Sequence, residues 1–378
     1  MSVSILYPRF DHPAVEERFA SWQTQMLLRA SGAEVLFHDD LADVDTEHVL
    51  VVTDPLLLPS RNLPQRLAAL FAARIGDADA VLPVTNEPAD PRQRAADRPP
   101  YITLRELQTV FEMFEQSPSR TERITWSDAD PGAFFCRTEL LKTTKGPLHR
   151  AIANRNVVVS HNDYVHRWSS MRGQARLDLL DRIPTTATSL LEFGCGEAPL
   201  GAAVKARQKC RVVGVELDPR AVAIARKRID TIFQGDIREV VSLIHERFDW
   251  IVGGDIVEHL DEPWSFLAEL RRISKPGGHL LLSLPNLANV SVVNDLLRGR
   301  FDYVYMGLTC AGHLRFFTRS SIEDMLDIAG WEVESIETQP VILTPSAEDL
   351  LAKLEAAGAT FSREDLLSPG YYVTAVNR

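Results

Sequence analysis

The stretch Ser189–Pro199, SLLEFGCGEAP, is the first place where residue types and spacing suggest chemistry. A short apolar run leads into Glu192, then Gly194, Cys195 and Gly196, and a helical pattern begins at Pro199. That order reads as strand, tight glycine turn and helix. Glycine is needed where φ turns positive or where backbone must approach a ligand closely. A dinucleotide site wants a third glycine and an uncharged phosphate end. Here Ala198 takes the third position and Glu197 adds a negative charge, which argues against NAD. Glu192 suits a ligand with a cationic amino-acid end. Glu216 closes the apolar run at 211–215, about 20 residues past the turn, where a carboxylate can accept both hydroxyls of a ribose. Asp236 follows a strand pattern at Thr231–Phe233, and Asp255 leaves the apolar run that starts at Phe248. Two histidines come next in reach, His259 in DIVEHL and His313 in GHLRFFT. Imidazole titrates near neutral pH and suits proton removal. Glu258, His259 and His313 are also metal-ligating types, but spacing assigns them no further partner, so no metal is expected.

These residues need a parallel sheet whose strand tips gather at one edge. The pattern supplies it: strands at 189–193, 211–215, 231–233, 248–254 and 279–284, with helices between the first four. Asp218 is placed to cap the helix after Glu216. Lys275-Pro276-Gly277-Gly278 is a turn before the fifth strand. A helix at Ser320–Ala329, with Thr318 as N-cap and Gly330 after it, a strand at Trp331–Thr338, a helix at Ser346–Ala357 and a closing strand at Tyr371–Val376 complete the pattern.

In their order and spacing these motifs resemble class I S-adenosylmethionine (AdoMet)-dependent methyltransferases. The resemblance implies a Rossmann-like sheet of seven strands, mostly parallel, with the last reversed. It implies AdoMet as cofactor, held by Glu192, Gly194, Cys195, Gly196, Glu216, Leu217, Asp236, Ile237 and Asp255. Asp236 stands where the family pairs an acid with the adenine amino group. The E-H-L after the fourth strand and the P-N followed by H-x-R-F-F-T after the fifth are similar to a subgroup that methylates sugars, polyprenyl phenols and other small hydroxyl acceptors. Methyl transfer from a sulfonium is an in-line displacement, so the protein must supply alignment, a dry site and, for a hydroxyl, a base. His313 and His259 are the candidates. The stretch of roughly 27 residues between Asn286 and His313 reads as a lid. Phe301, Tyr303, Tyr305, Phe316 and Phe317 are candidates to line an acceptor pocket. The reading is O-methylation of a sugar, glycan or other small metabolite. N- or C-methylation of a small metabolite, a non-catalytic AdoMet-binding module and a nicotinamide oxidoreductase are the alternatives.

The chain has 378 residues, 45% of them hydrophobic and 25% charged, with a net charge of −11. The length predicts two to three domains. An acidic chain without a basic run argues against nucleic acid as the main partner. Cys136, Cys195, Cys210 and Cys310 form no C-x-x-C pair, which fits a reducing compartment. No secretory leader and no membrane-length apolar run are read, so a cytoplasmic location is expected.

Residues 1–159 read as a separate α/β domain and 160–378 as the methyltransferase domain. The first alternates strands at 3–7, 34–37, 49–53 and 80–84 with helices at 14–29, 63–73 and 102–114, predicting a mostly parallel sheet. An exposed loop is expected at 86–100 and a further strand at 132–137. The strand end VLVVTDP at Val49–Pro55 and the segment GAFFCRTELL at Gly132–Leu141 resemble, faintly, family 2-type glycosyltransferases. The metal-binding D-x-D is absent, since Asp54 is followed by Pro55 and Leu56. The resemblance implies a remnant used for substrate binding or dimerisation; an unrelated α/β cap is the alternative. His161–Arg182 reads as one or two amphipathic helices joining the halves. The methyltransferase resemblance makes Tyr164, Arg167 and Arg172 candidates for the AdoMet carboxylate.

Overall fold

The computed structural model describes residues 3–8, 15–30, 35–74, 78–95, 99–168 and 174–378. Met171 and Arg172 lie outside the described residues. The chain divides into two compact units: Met1–Ser169 with Asp302–Met306, and Ser170–Phe301 with Gly307–Arg378. A boundary at 159/160 therefore falls ten residues early, inside a strand.

The first unit contains β1 (Val3–Leu6), α1 (Val15–Arg29), β2 (Val35–His38), β3 (His48–Val52), β4 (Leu57–Pro59), α2 (Leu63–Arg74), β5 (Ala80–Thr85), α3 (Leu104–Gln116), β6 (Thr121–Thr125), β7 (Ala133–Arg137), α4 (Thr138–Lys142) and β8 (Asn156–Arg167). Its sheet runs β2-β1-β3-β7-β5-β8-β4, with β6 also paired to β8. β1, β2 and β3 are mutually parallel, as are β5 and β8, but β7 runs against both β3 and β5. The sheet is thus mixed, where alternation alone predicts mostly parallel. β3 and β5 are apolar and buried nearly throughout, as interior strands must be. α3 begins with a capping box in which Thr103 and Glu106 satisfy each other's backbone N–H. Val304, from the segment 302–306, is buried in this unit's core, and the Gln23 amide donates to the Tyr303 carbonyl at 3.0 Å.

The largest correction concerns residues 161–167. They are the second half of β8 rather than a helix. The polar letters mislead because Asn162 and Asp163 are buried with partners: Asn162 Nδ2 donates to the Ser117 and Pro118 carbonyls, and Asp163 pairs with Arg66.

The second unit contains α5 (Leu177–Leu180), β9 (Ser189–Phe193), α6 (Pro199–Arg207), β10 (Arg211–Glu216), α7 (Pro219–Ala225), β11 (Thr231–Gln234), α8 (Ile237–Val240), β12 (Phe248–Gly254), α9 (Pro263–Ile273), β13 (Ser274–Pro285), α10 (Val290–Leu296), α11 (Arg319–Ile328), β14 (Glu332–Thr338), α12 (Pro345–Ala356), α13 (Arg363–Leu367) and β15 (Gly370–Val376). The sheet order is β11-β10-β9-β12-β13-β15-β14. β9 to β13 are parallel, and β15 is antiparallel to both β13 and β14. This is the expected seven-stranded, Rossmann-like arrangement with a reversed last strand. The order reverses at β9, which lies between β10 and β12. Ligands of such sheets bind beyond the carboxyl ends of the strands at this switch point. One core packs beneath the sheet from Leu191, Phe193, Ile251, Leu267, Leu282 and Trp331, and a second above it from Leu190, Val212, Val252 and Leu281. The stretch after β13 carries α10, an element with no clear signature in the sequence.

Candidate active site

The glycine turn after β9 has the geometry its composition implies. Gly194 and Gly196 have φ of +67° and +55°. A Cβ on Gly194 would lie 2.2 Å from the Ile256 side chain. The positive φ, with Ile256 packed against the turn, favours glycine there. Ala198 also has positive φ, +56°, just before Pro199 starts α6.

Glu216 ends β10 and ties the turn to its neighbour. One carboxylate oxygen accepts the Gly196 N–H at 2.8 Å and the other accepts the Asp218 N–H at 2.8 Å. A carboxylate has about four acceptor positions, so each oxygen keeps capacity for a hydroxyl. Leu217, 66% exposed beside it, offers an apolar face at the same tip. Asp236 caps α8 through the Arg238 N–H and binds the Arg238 guanidinium, which holds its carboxyl below the usual carboxylate range. Glu192 lies in β9, Glu216 ends β10, and Asp236 follows β11, three adjacent parallel strands.

Three residues play parts other than those the resemblance implies. Glu192 is 8% exposed, and its carboxylate accepts the Gly201 N–H at 3.1 Å. Burial, with Glu216 nearby, pushes it up to about 8. Its bond to Gly201 latches the turn to α6. Cys195 turns its thiol into the upper core, and its backbone N–H is taken by the Val215 carbonyl. Ile237 packs into the lower core. Tyr164 is a further correction. It lies on β8 inside the first unit, 1% exposed, stacked on Phe114 at 5.0 Å. Arg167 pairs with Asp54 in the same unit. Both belong to a sheet, where the sequence pattern suggested a helix over the cofactor.

Beyond β12 the polar groups become denser. Asp255 takes φ +55°, a conformation open to aspartate, and its N–H donates to the Ser283 carbonyl. Its carboxylate accepts the Ser283 hydroxyl at 2.6 Å and the Arg176 guanidinium at 2.5 Å. Arg176 also grips Asp178, which accepts the Tyr372 hydroxyl at 2.8 Å. Arg176, Asp178 and Ser283 escaped the sequence reading. The one usable signal was Arg176 beside Asp178, in a segment assigned wholesale to a joining helix.

A 3₁₀ turn, Val257–His259, follows Asp255. The Glu258 carbonyl accepts the N–H groups of both Leu314 and Arg315, at 2.8 and 3.0 Å. These two bonds staple the H-x-R segment onto the β12 tip and bring His313 to His259. Their ring centroids are 5.0 Å apart at 85°. His259 Nδ1 lies 3.0 Å from the Gly312 carbonyl. Only a protonated Nδ1 can bond there, so Nε2 carries the lone pair. His313 Nε2 lies 3.9 Å from Glu258, which is 1% exposed. Burial raises the Glu258 carboxyl well above its ordinary value, with Asp255 adding to it. Burial lowers His313 to about 4, aided by His259, while the Leu308 carbonyl and Asp255 pull the other way. Phe316 lies 6.2 Å from His313 and 5.6 Å from Phe301, edge-on to both. Phe317 is core. Tyr303 and Tyr305 group with the first unit.

Residues 163–336 match the family model described as "Methyltransferase domain". With the strand order and the glycine cradle, this makes the second unit a class I AdoMet-dependent methyltransferase domain. The protein is an AdoMet-dependent methyltransferase with AdoMet as its cofactor. It is 24% identical to the ubiquinone biosynthesis O-methyltransferase of Cereibacter sphaeroides, over 44% of this chain and 69% of that protein. It is 32% identical to a Mycolicibacterium smegmatis protein named probable S-adenosylmethionine-dependent methyltransferase, over 38% of this chain and 52% of that protein, and so spans about half of that relative. The crystal structure of a SAM-dependent methyltransferase from Archaeoglobus fulgidus superposes at a TM-score of 0.41 with 15% identity, over 53% of this chain and 91% of that one.

The residues present fit AdoMet. Gly194 lets the turn pass tightly beside Ile256, Glu216 keeps acceptor capacity toward a diol, and Leu217 exposes an apolar face. When bound, AdoMet supplies an electrophilic methyl group on a sulfonium. Glu216 and the Gly194–Gly196 turn are the residues that would hold it, with an acceptor at the β12 tip.

Proposed function

We propose that this methyltransferase transfers the methyl group to a hydroxyl oxygen of a sugar, glycan or other small metabolite, with a histidine assisting removal of the hydroxyl proton. The observation that carries the reading is the pairing of His259 and His313 beyond β12, adjacent to the AdoMet strand tips. His259 is the proton acceptor in this reading, since the Gly312 carbonyl holds its ring in the tautomer that leaves Nε2 basic. His313 orients it. The relatives named O-methyltransferase support oxygen as the acceptor atom. The first unit serves acceptor binding or homodimerisation, the role its glycosyltransferase-like pattern suggests. Among the described residues no helix is long and apolar enough to cross a membrane. The four cysteines are buried and unbridged, which supports a reducing, cytoplasmic setting.

A methyl-transfer screen against sugars, nucleotide sugars and phenols, with product mass and position read by mass spectrometry, tests this. A hydroxyl methylated by the wild type and not by His259→Asn is expected. Methylation confined to nitrogen or carbon acceptors, or full turnover in His259→Asn, would contradict it.

A further inference from the structure

Two buried atoms at the β12 tip lack partners, although the His313 ring also meets the Leu308 carbonyl. Glu258 Oε2 and His313 Nδ1 are buried and find no hydrogen-bond partner. Buried polar atoms are almost always paired, because an unpaired one loses its hydration for nothing. One ligand atom from each of Glu258, His259 and His313 lies within 4.8 Å of the others, a group with two imidazoles and one carboxylate. Around an ion with ligand bonds of about 2.1 Å, tetrahedral neighbours stand ~3.4 Å apart. Ligation requires the set to draw in from that spacing.

The surroundings are those of a ligand set. A metal-binding histidine usually gives its second ring N–H to a backbone carbonyl, which fixes the other nitrogen toward the ion. His259 Nδ1 at the Gly312 carbonyl has that arrangement. His313 is fixed by the backbone staple between Glu258 and Leu314–Arg315. Asp255 adds a second carboxylate beside the set, itself ion-paired to Arg176.

We infer that Glu258, His259 and His313 form a site for a divalent first-row transition cation, with open coordination positions for the acceptor hydroxyl. Two imidazoles favour Co²⁺ and Zn²⁺, with Mn²⁺ weaker, over the oxygen-preferring Mg²⁺ and Ca²⁺. Three protein ligands match a catalytic site, which keeps a position open. This rests on the hydroxyl-acceptor reading above and replaces direct proton capture by His259 with activation through the ion. The cation holds the acceptor oxygen and lowers its pKa, and the hydroxyl proton passes to solvent water. A lone pair on that oxygen forms the O–CH₃ bond. The CH₃–S bond breaks and its electron pair stays on sulfur, leaving the methyl ether, S-adenosylhomocysteine and the released proton.

The test is calorimetric titration of chelator-stripped full-length protein with MnCl₂, CoCl₂, ZnCl₂ and MgCl₂, with Co²⁺ absorption reporting imidazole ligation. One equivalent of transition ion should bind, with Mg²⁺ at least tenfold weaker. His313→Asn and Glu258→Gln should each weaken the ion at least tenfold while leaving AdoMet affinity unchanged, which shows the variants are folded. Saturable ion binding without transfer to any hydroxyl would sustain the site and defeat the O-methylation reading. Hydroxyl methylation undiminished in chelator, with no ion bound, would overturn the site and leave that reading standing.

Discussion

The carboxyl edge of the second sheet has two differently built halves. At β9, β10 and β11 the polar groups satisfy one another: Glu192 with Gly201, Glu216 with Gly196 and Asp218, Asp236 with Arg238. At β12, Glu258 and His313 carry buried atoms with no partner. A cofactor cradle gains from being fully built before its ligand arrives, since preorganisation lowers the cost of binding. Reactive groups gain from unsatisfied valence, which a substrate or ion then completes. If the first half holds AdoMet and the second carries the reaction, as proposed, each half should fail in its own way.

The harshest break falls on the first half. Gly194→Val puts a branched side chain where φ is +67° and Ile256 stands 2.2 Å from a Cβ. Left-handed backbone alone costs about 1–2 kcal/mol for such a residue. Calorimetry should show no AdoMet binding, and the thermal midpoint should fall by several degrees; retained affinity would mean the turn is no cradle.

Next in size is His259→Asn on the reacting half. Loss of a positioned proton acceptor or ion ligand typically costs ~10²–10⁴ in turnover. Steady-state kinetics should show that loss in kcat with little change in the AdoMet term. A variant that loses affinity instead would dissolve the division.

A smaller effect concerns the scaffold under both halves. Asp249 accepts the Thr188 and Ser189 N–H groups and pairs with Lys275 at 2.7 Å. Its burial raises its pKa, but Lys275 and Thr188 outweigh that and hold it well below the usual carboxylate range. A carboxyl lowered by folding stabilises the fold above its unfolded pKa of about 3.9, and that contribution is lost as pH falls through the folded value. Asp249→Asn should lower unfolding stability at pH 7, and the gap to wild type should close as pH falls from about 5 toward 2. A gap independent of pH would remove Asp249 as its source.

The mildest expectation is Tyr164→Phe, in the first unit. It deletes one hydroxyl from a buried aromatic stack. AdoMet affinity should stay within a factor of two in the same titration; a tenfold loss would restore Tyr164 to the cofactor.

The sheet of the second unit was legible because apolar runs, glycine turn and acidic ends recur at βα spacing. The two histidines were legible as well, His259 just past β12 and His313 at the end of the long stretch after β13. Glu192 was not: a carboxylate before a glycine turn looks the same in sequence whether it faces ligand or latches the turn, and only burial decides. Glu258 was visible beside His259 as a metal-ligating type, but its burial and its staple to Leu314 and Arg315 were not. β8 was mistaken because polar letters in a buried strand carry no period-two signal when their partners lie far along the chain, as Arg66 does for Asp163. β4 was missed for want of length and β6 because its residues, TERIT, are mostly polar and exposed.

The most direct test of the central claim is the AdoMet dissociation constant of Glu216→Ala measured beside wild type. The ribose assignment predicts a weakening of about 1–3 kcal/mol, roughly tenfold to a hundredfold, for loss of a charge-assisted hydrogen-bond acceptor. An unchanged constant would contradict it.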